Sequence, residues 1–98
     1  MVVYEVTLEI DPALADAVEA HMRREHIPDI AATGCFQRIR LERASPSRFR
    51  TRYEAGTEID LNRYLRDHAP RLRVDFQRHF PVGVTATRET WTPLESWG

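Results

Sequence analysis

The sequence predicts an α+β domain whose elements follow the order β-α-β-β-α-β. Three observations support this prediction. Residues 2–10 alternate strictly between apolar and polar side chains, as a strand with one buried face does. Residues 35–55 contain two further extended stretches around a short turn, and residues 82–91 contain a fourth. Two stretches with apolar residues at helical spacing separate these strands.

The first strand and first helix follow from residues 2–28. The apolar face of the strand consists of Val2, Tyr4, Val6, Leu8 and Ile10. A helix is expected next, because Asp11 is a good N-cap and Pro12 suits the first helical position. We expect this helix to end near Ile27, since Pro28 disfavours helical geometry at the residue before it.

The second half of the chain contains a hairpin, a long helical stretch and a last strand. The hairpin strands are predicted over 35–44 and 47–55, with a turn at Ser-Pro-Ser between them. Thr57 followed by Asp60 indicates a capping box at the start of the second helical stretch. Pro70 is expected to kink or split that stretch. The fourth strand is predicted over 82–91.

This order of elements has one compact solution. Both crossovers join parallel strands and should be right-handed. The result is a four-stranded antiparallel-type sheet in the order 4-1-3-2 with both helices on one face, which is the ferredoxin-like arrangement. A chain of 98 residues is expected to form a single domain over 1–98 with a small core, so association would add useful burial.

The alternation also predicts what lies on the sheet face away from the helices, which we call the open face. Phe36 and Trp91 are expected at its opposite edges. The face is either a solvated, salt-bridged surface or the interface of a homodimer with sheets opposed. In a dimer, unpaired arginines would be costly and a bound anion would relieve them. The predicted binding residues are Glu5, Glu9, Arg38, Arg40, Arg50 and Arg52.

Composition argues against several classes of partner. The net charge is −1, although all fourteen basic residues are arginine, so no global attraction to nucleic acid or to an acidic membrane is expected. The open-face positions at which RNA-recognition modules carry aromatic residues hold Glu5, Thr7, Arg50 and Arg52 instead. Residues 1–11 show no basic region followed by an apolar run, so no signal peptide is expected, and no stretch reaches ~18 apolar residues. We therefore expect a cytoplasmic protein.

The histidines and the single cysteine give only weak indications of a metal site or a catalytic site. His21 and His26 should diverge by about 140° around a helix, and HExxH and CxxC motifs are absent, so neither a metal site nor a cofactor is expected. Cys35 is either a small buried residue or, if His26 reaches it, a nucleophile. His26 is the candidate acid or base. A helix C-terminus would stabilise its charged form, and it either caps carbonyls there or lines a pocket.

The motifs "YEVTLEID", "EHIPDIAATGCFQRIRL" and "YLRDHAPRLRVDFQRHF" resemble a bacterial family of small proteins known only as a domain of unknown function. More loosely, the histidine-proline segment followed by glycine and a strand is similar to the dimeric α/β-barrel superfamily. That resemblance implies two ferredoxin-like subunits packed sheet to sheet. The superfamily includes cofactor-free monooxygenases, haem-handling enzymes and proteins without known activity. The closer family brings no established catalytic residues.

Two functions follow as expectations. The first is a homodimer that binds a small molecule, with an anion as one option, in a cleft on the open face. The alternative is a cofactor-independent enzyme of the dimeric α/β-barrel type with His26 as acid or base. The sequence leaves open whether the protein is an enzyme.

Overall fold

A computed structural model of the protein describes residues 1–98. Its one sheet has the strand order β2-β3-β1-β4, and every neighbouring pair is antiparallel. The predicted ferredoxin-like α+β fold, with strand order 4-1-3-2, is therefore confirmed. The strands are β1 (Val2–Ile10), β2 (Arg38–Ser45), β3 (Arg48–Ala55) and β4 (Val84–Trp91).

Both predicted helix starts and the predicted split are confirmed. The Asp11 carboxylate accepts a hydrogen bond from the backbone N–H of Ala13 at 3.0 Å, and Thr57 Oγ1 accepts one from the N–H of Asp60 at 3.2 Å. The second helical stretch divides before Pro70. The helical segments are a 3₁₀ turn (Pro12–Leu14), α1 (Ala15–His21), a π-helical turn (Met22–His26), α2 (Ile27–Ala31), α3 (Glu58–Asp67) and α4 (Ala69–His79).

The first helical stretch was predicted to end near Ile27, and this prediction was wrong, because the stretch continues to Ala31. The π-helical turn explains this result. The N–H of Ile27 donates to the carbonyl of Met22, five residues back, and the widened turn lets a new helical segment begin. Pro28 lies in the first turn of that segment, where a missing N–H costs little.

The alternation of side chains along the strands is confirmed. Tyr4 lies opposite Tyr53 on the helix side of the sheet, and Glu5 lies opposite Arg52 on the open face. Residues of both helical stretches pack on the helix side, where Ile30 and Leu61 are 1% and 2% exposed. One sheet face is thus the floor of the core, while no helix covers the other, on which Val3 is nevertheless buried (2% exposed) near Trp91.

Phe36 is an exception to the alternation predicted for the strands. It was expected on the open face, but its ring centroid lies 4.9 Å from that of Tyr64 and 5.2 Å from that of Tyr53, on the helix side. The chain from 32 to 37 forms a turn, with Gly34 at a φ of 72°, and β2 begins at Arg38 instead of residue 35. Strand alternation therefore does not apply to this residue. No helix in the protein has the length and apolar character needed to cross a membrane.

Candidate functional site

A cavity lies between the sheet and the helices, which we call the inner cavity. The centre of a water-sized sphere can occupy about 60 Å³ of this cavity. A single water molecule needs about 10–15 Å³ on the same measure, so the cavity has room for more than one water. Ten of its thirteen lining residues are hydrophobic. The lining consists of Tyr4, Val6, Leu8, Met22, His26, Ile30, Tyr53, Tyr64, Leu72, Arg73, Phe76, Ala86 and Arg88.

The charged groups of this cavity all have one sign. Arg73 of α4 and Arg88 of β4 line it, and no carboxylate does. Both arginines are exposed residues, so their guanidinium groups lie at the mouth of the cavity. Arg73 Nη2 donates a hydrogen bond to the Tyr4 hydroxyl at 2.9 Å, which holds the Arg73 side chain next to the cavity lining. An apolar space with arginines at its entrance favours a ligand with an apolar body and a negative end.

Three tyrosines form one wall of the cavity. The ring centroid of Tyr4 lies 5.9 Å from that of Tyr53 and 6.2 Å from that of Tyr64. Burial raises the pKa of Tyr64 to about 12 and raises the pKa of Tyr53 further still. The hydroxyls of Tyr53 and Tyr64 therefore remain protonated at neutral pH and can donate hydrogen bonds to a bound molecule.

His26 lies in the π-helical turn and lines the same cavity. Its Nδ1 atom is buried and has no hydrogen-bond partner, and its ring centroid is 5.1 Å from that of Phe76. Burial, followed by the charge of His21, lowers its pKa to about 4. The expectation that a helix C-terminus stabilises the charged form was wrong, because the helix continues past His26 and burial dominates.

The expected divergence of His21 and His26 was also wrong. Their ring centroids are 6.2 Å apart and their planes differ by only 29°. In an α-helix, residues five apart point in different directions, but the i→i+5 hydrogen bonding of the π-helical turn brings such residues to the same side. His21 thereby faces α4, with its ring centroid 4.2 Å from that of His79.

Cys35 matches the more conservative of its two interpretations. It is 2% exposed and belongs to the apolar cluster that contains Tyr4 and Ile30. Its Sγ atom lies 3.8 Å from the backbone oxygen of Thr33. Cys35 is a small buried residue beside the inner cavity rather than part of its lining.

The structure brings some of the predicted open-face residues together and separates others. One shallow depression of about 480 Å³ is lined by Glu5, Arg40, Arg50 and Arg52 together with Trp91. Glu9 lies in a neighbouring depression, and Arg38 lines neither.

Part of this charge is already neutralised within the chain. Arg50 Nη2 donates to Glu42 Oε1 at 3.0 Å, and this hydrogen bond raises the pKa of the Arg50 guanidinium. The open-face depression is also more open to solvent than the inner cavity. Ligand binding by these six residues stays a prediction.

Sequence reasoning missed the two arginines of the inner cavity. Arg88 stands opposite Val6 and follows Ala86 at two-residue spacing, so alternation alone places it on the helix side. A charged residue at an inward position of an amphipathic strand was a usable signal. Arg73 offered no comparable signal, because only the packing of α4 brings it to Tyr4 of β1.

The fold is shared with several solved structures of low sequence identity. A candidate antibiotic biosynthesis monooxygenase from Deinococcus radiodurans matches with a TM-score of 0.72 and 17% identity, over 100% of this chain and 97% of that one. SnoaB, a cofactor-independent oxygenase from Streptomyces nogalater, matches at 0.68 and 16%, over 97% and 94%. A protein of unknown function from Nitrosomonas europaea matches at 0.68 and 14%, over 99% and 94%. At these identities, the likeness shows the fold alone.

At the level of sequence, no curated protein matches this chain. Residues 1–93 match the family described as "Domain of unknown function (DUF4286)". The resemblance that the three sequence motifs indicated is confirmed, and the chain belongs to the DUF4286 family.

Proposed function

We propose that this protein binds a small molecule with an apolar, ring-containing body and an anionic group in the inner cavity. The observation that carries this proposal is the lining: ten hydrophobic residues, two arginines and no carboxylate. Ligand sites in proteins are commonly enclosed, mostly apolar spaces in which a few polar groups fix orientation. The inner cavity fits this description better than the larger, more open and charged depression on the open face.

The contacts of such a ligand follow from the lining. Its anionic group would pair with Arg88 and Arg73 at the mouth. Its ring would pack against the tyrosine wall and Phe76. His26 Nδ1, which lacks a partner in the chain, is available to a polar atom of the ligand. A ligand that fills this space would stabilise the fold in proportion to its concentration.

The test compares two arginines on opposite faces of the sheet. Thermal unfolding is measured with a panel of aromatic carboxylates for wild type, Arg88→Gln and Arg50→Gln. We expect a stabilising carboxylate whose effect is lost in Arg88→Gln and retained in Arg50→Gln, whose side chain lies on the open face. Loss in Arg50→Gln alone would move the site to the open-face cleft, and a panel without any stabilising member would contradict both sites.

A cofactor-independent enzyme remains the second candidate, and one observation favours it. His26 lines the inner cavity and its buried Nδ1 has no partner in the chain, so this nitrogen can take a proton from a bound phenol or enol while the substrate oxygen keeps the electron pair. The similar fold of SnoaB, a cofactor-independent oxygenase, is consistent with such chemistry. Once a turned-over compound is found, His26→Gln with unaltered kcat would remove His26 from the mechanism.

Homodimerisation through the open face is the assembly that we propose. Glu5 and Glu9 run along β1, and an arginine set lies on β3 and β2 beside them. A two-fold axis through such a face can place the acids of one copy opposite the arginines of the other. Beyond β4, Leu94 is 94% and Trp97 is 83% exposed, which adds apolar area for a partner.

This assembly has its own test. Sedimentation equilibrium of wild type should give a dimer, and Arg52→Glu should weaken it. Arg66→Glu is the matched control, because Arg66 lies on α3 in the helical layer. A wild-type protein that stays monomeric at high micromolar concentration would contradict the dimer. The cytoplasmic location stays a prediction that rests on the sequence.

A further inference from the structure

We propose that His21, Asp75 and His79 form a binding site for one divalent transition-metal ion, with Zn²⁺ as the reference ion, between the π-helical turn and α4. One ligand atom from each of the three side chains lies within 4.8 Å of the other two. The site is separate from the inner-cavity lining, which contains none of these residues. Two imidazoles and one carboxylate form a donor set that suits Zn²⁺, Co²⁺ or Ni²⁺.

The hydrogen bonds of the two histidines leave the right atoms free. His21 Nδ1 lies 3.2 Å from Glu25 Oε2, so its proton is held there and the lone pair is on Nε2. His79 Nδ1 lies 2.9 Å from the backbone oxygen of Asp75, which fixes the same tautomer. In metal sites, a histidine ligand typically donates its second N–H to a carboxylate or a carbonyl in this way. His21 therefore offers a free Nε2, whereas His79 Nε2 lies 3.7 Å from Glu25 Oε2 and must exchange that contact for the ion.

The buried end of His21 has an unmet requirement that a metal ion would satisfy. Its side chain is only 7% exposed, and Nε2 has no hydrogen-bond partner. A buried polar atom without a partner is costly and uncommon in folded proteins. The ring centroid of His79 lies 4.2 Å from that of His21, so an ion bound to His21 lies within reach of His79.

Two pairs at i,i+4 spacing build the cluster from facing segments. His21 and Glu25 belong to the first helical stretch, whereas Asp75 and His79 belong to α4. Residues four apart lie on one side of a helix, so each segment presents one histidine and one carboxylate to the other. The sequence prediction of no metal site considered histidine pairs within one helical stretch and short sequence motifs, and therefore did not combine these two segments.

A bound ion would require a small contraction of the cluster. Zinc–nitrogen and zinc–oxygen bonds are about 2.0–2.2 Å long, so the donors must move closer than 4.8 Å. His79 is 44% exposed and Asp75 is half-buried, so both side chains have room to move towards the buried His21 ring once His79 Nε2 leaves Glu25. Such an ion would cross-link the first helical stretch to α4.

The test measures metal binding directly and uses no activity. Protein without an affinity tag, stripped with a chelator, is titrated with Zn²⁺ by calorimetry and with Co²⁺ by visible absorption. We expect one ion per chain, a weakening of at least about tenfold in His79→Ala and in Asp75→Asn, and no change in His68→Ala. His68 is the matched control, since it lies between α3 and α4 outside the cluster.

Two further measurements distinguish an ion held by this cluster from metal bound weakly by surface histidines. Because His79 is exposed, its substitution should leave the fold intact, which a circular dichroism spectrum checks. The Zn²⁺-induced rise in Tm should disappear in His79→Ala and persist in His68→Ala. Absence of stoichiometric binding in wild type, or equal weakening in His68→Ala and His79→Ala, would overturn the proposal.

Discussion

The two faces of the sheet are built from alternate residues of the same strands, but they have different surroundings. Tyr4 and Leu8 of β1 are 5% and 4% exposed beneath the helices. Glu5 and Glu9 of the same strand are open to solvent to a much greater degree. The covered face encloses a small, mostly apolar space with arginines at its mouth, whereas the bare face carries paired charges over a broad, shallow area. One strand therefore contributes to two different kinds of surface, the first suited to a small ligand and the second to a partner surface.

The sharpest contrast between the faces concerns stability. Leu8→Ala removes a side chain that packs with Phe49 and Val18 in the core, and we expect it to lower the free energy of unfolding by about 2–5 kcal/mol. Glu9→Ala removes only an exposed carboxylate paired with Arg48 at 3.7 Å, and its cost should be below about 1 kcal/mol. Urea unfolding of the two variants measures both values. Similar losses in the two variants would mean that the open face is covered in solution.

The second contrast is pH dependence, which belongs to the covered face. The pKa of His26 is about 4 in the folded protein and near the ordinary 6.5 when unfolded. Between these values the unfolded chain binds more protons, so stability is full above pH 6.5 and falls as the pH drops towards 4. The loss at pH 4 amounts to about 3 kcal/mol. Besides burial, the groups that act on this pKa are His21, Asp75, Asp29 and Arg88.

This prediction is checked by urea unfolding from pH 7 to pH 4 in the presence of a chelator. Between pH 7 and pH 4, the free energy of unfolding should decrease less in His26→Leu than in wild type. The difference between the two decreases should be most of the roughly 3 kcal/mol expected for His26. An equal decrease in both proteins would show that other groups cause the acid sensitivity. His68→Leu serves as the control, because it also removes a half-buried histidine but one outside the inner cavity.

The extent to which sequence predicted these features depends on the type of signal. Strand alternation with period two placed Tyr4 and Glu5 on opposite faces, and it needs no knowledge of tertiary contacts. Capping by Asp11 and Thr57 is similarly local. Alternation was enough to identify the open face, and the order of elements together with right-handed crossovers was enough for the strand order.

The features that were mispredicted depend on the backbone between regular elements. A proline at 28 normally stops a helix, and nothing in the sequence indicated that a π-helical turn would let the helix continue. That turn decides the direction of His21 and His26, and thus the composition of the inner cavity and of the proposed metal site. Contacts such as Arg73 to Tyr4, between residues far apart in the chain, likewise require the assembled fold.

The third contrast concerns the ligand itself. Ala86 of β4 lines the inner cavity, and Thr87 is the next residue on the opposite face. Ala86→Val should reduce the affinity for any carboxylate that stabilises wild type by about tenfold or more, because the added methyl groups occupy the cavity. Thr87→Val should leave the affinity unchanged. Calorimetric titration measures both variants, and the reverse order of effects would place the ligand on the open face.

The smallest expected effect belongs to an ion pair on the open face. Glu42 Oε1 accepts from Arg50 Nη2 at 3.0 Å, and the two side chains are 46% and 50% exposed. Glu42→Gln should therefore change the free energy of unfolding by less than about 1 kcal/mol, and added salt should reduce the difference further. The measurement is urea unfolding at low and high salt, at a protein concentration too low for association. If the same substitution costs much more at a concentration where the dimer forms, the pair is shielded from water by a partner, and the difference reports how completely the open face is covered.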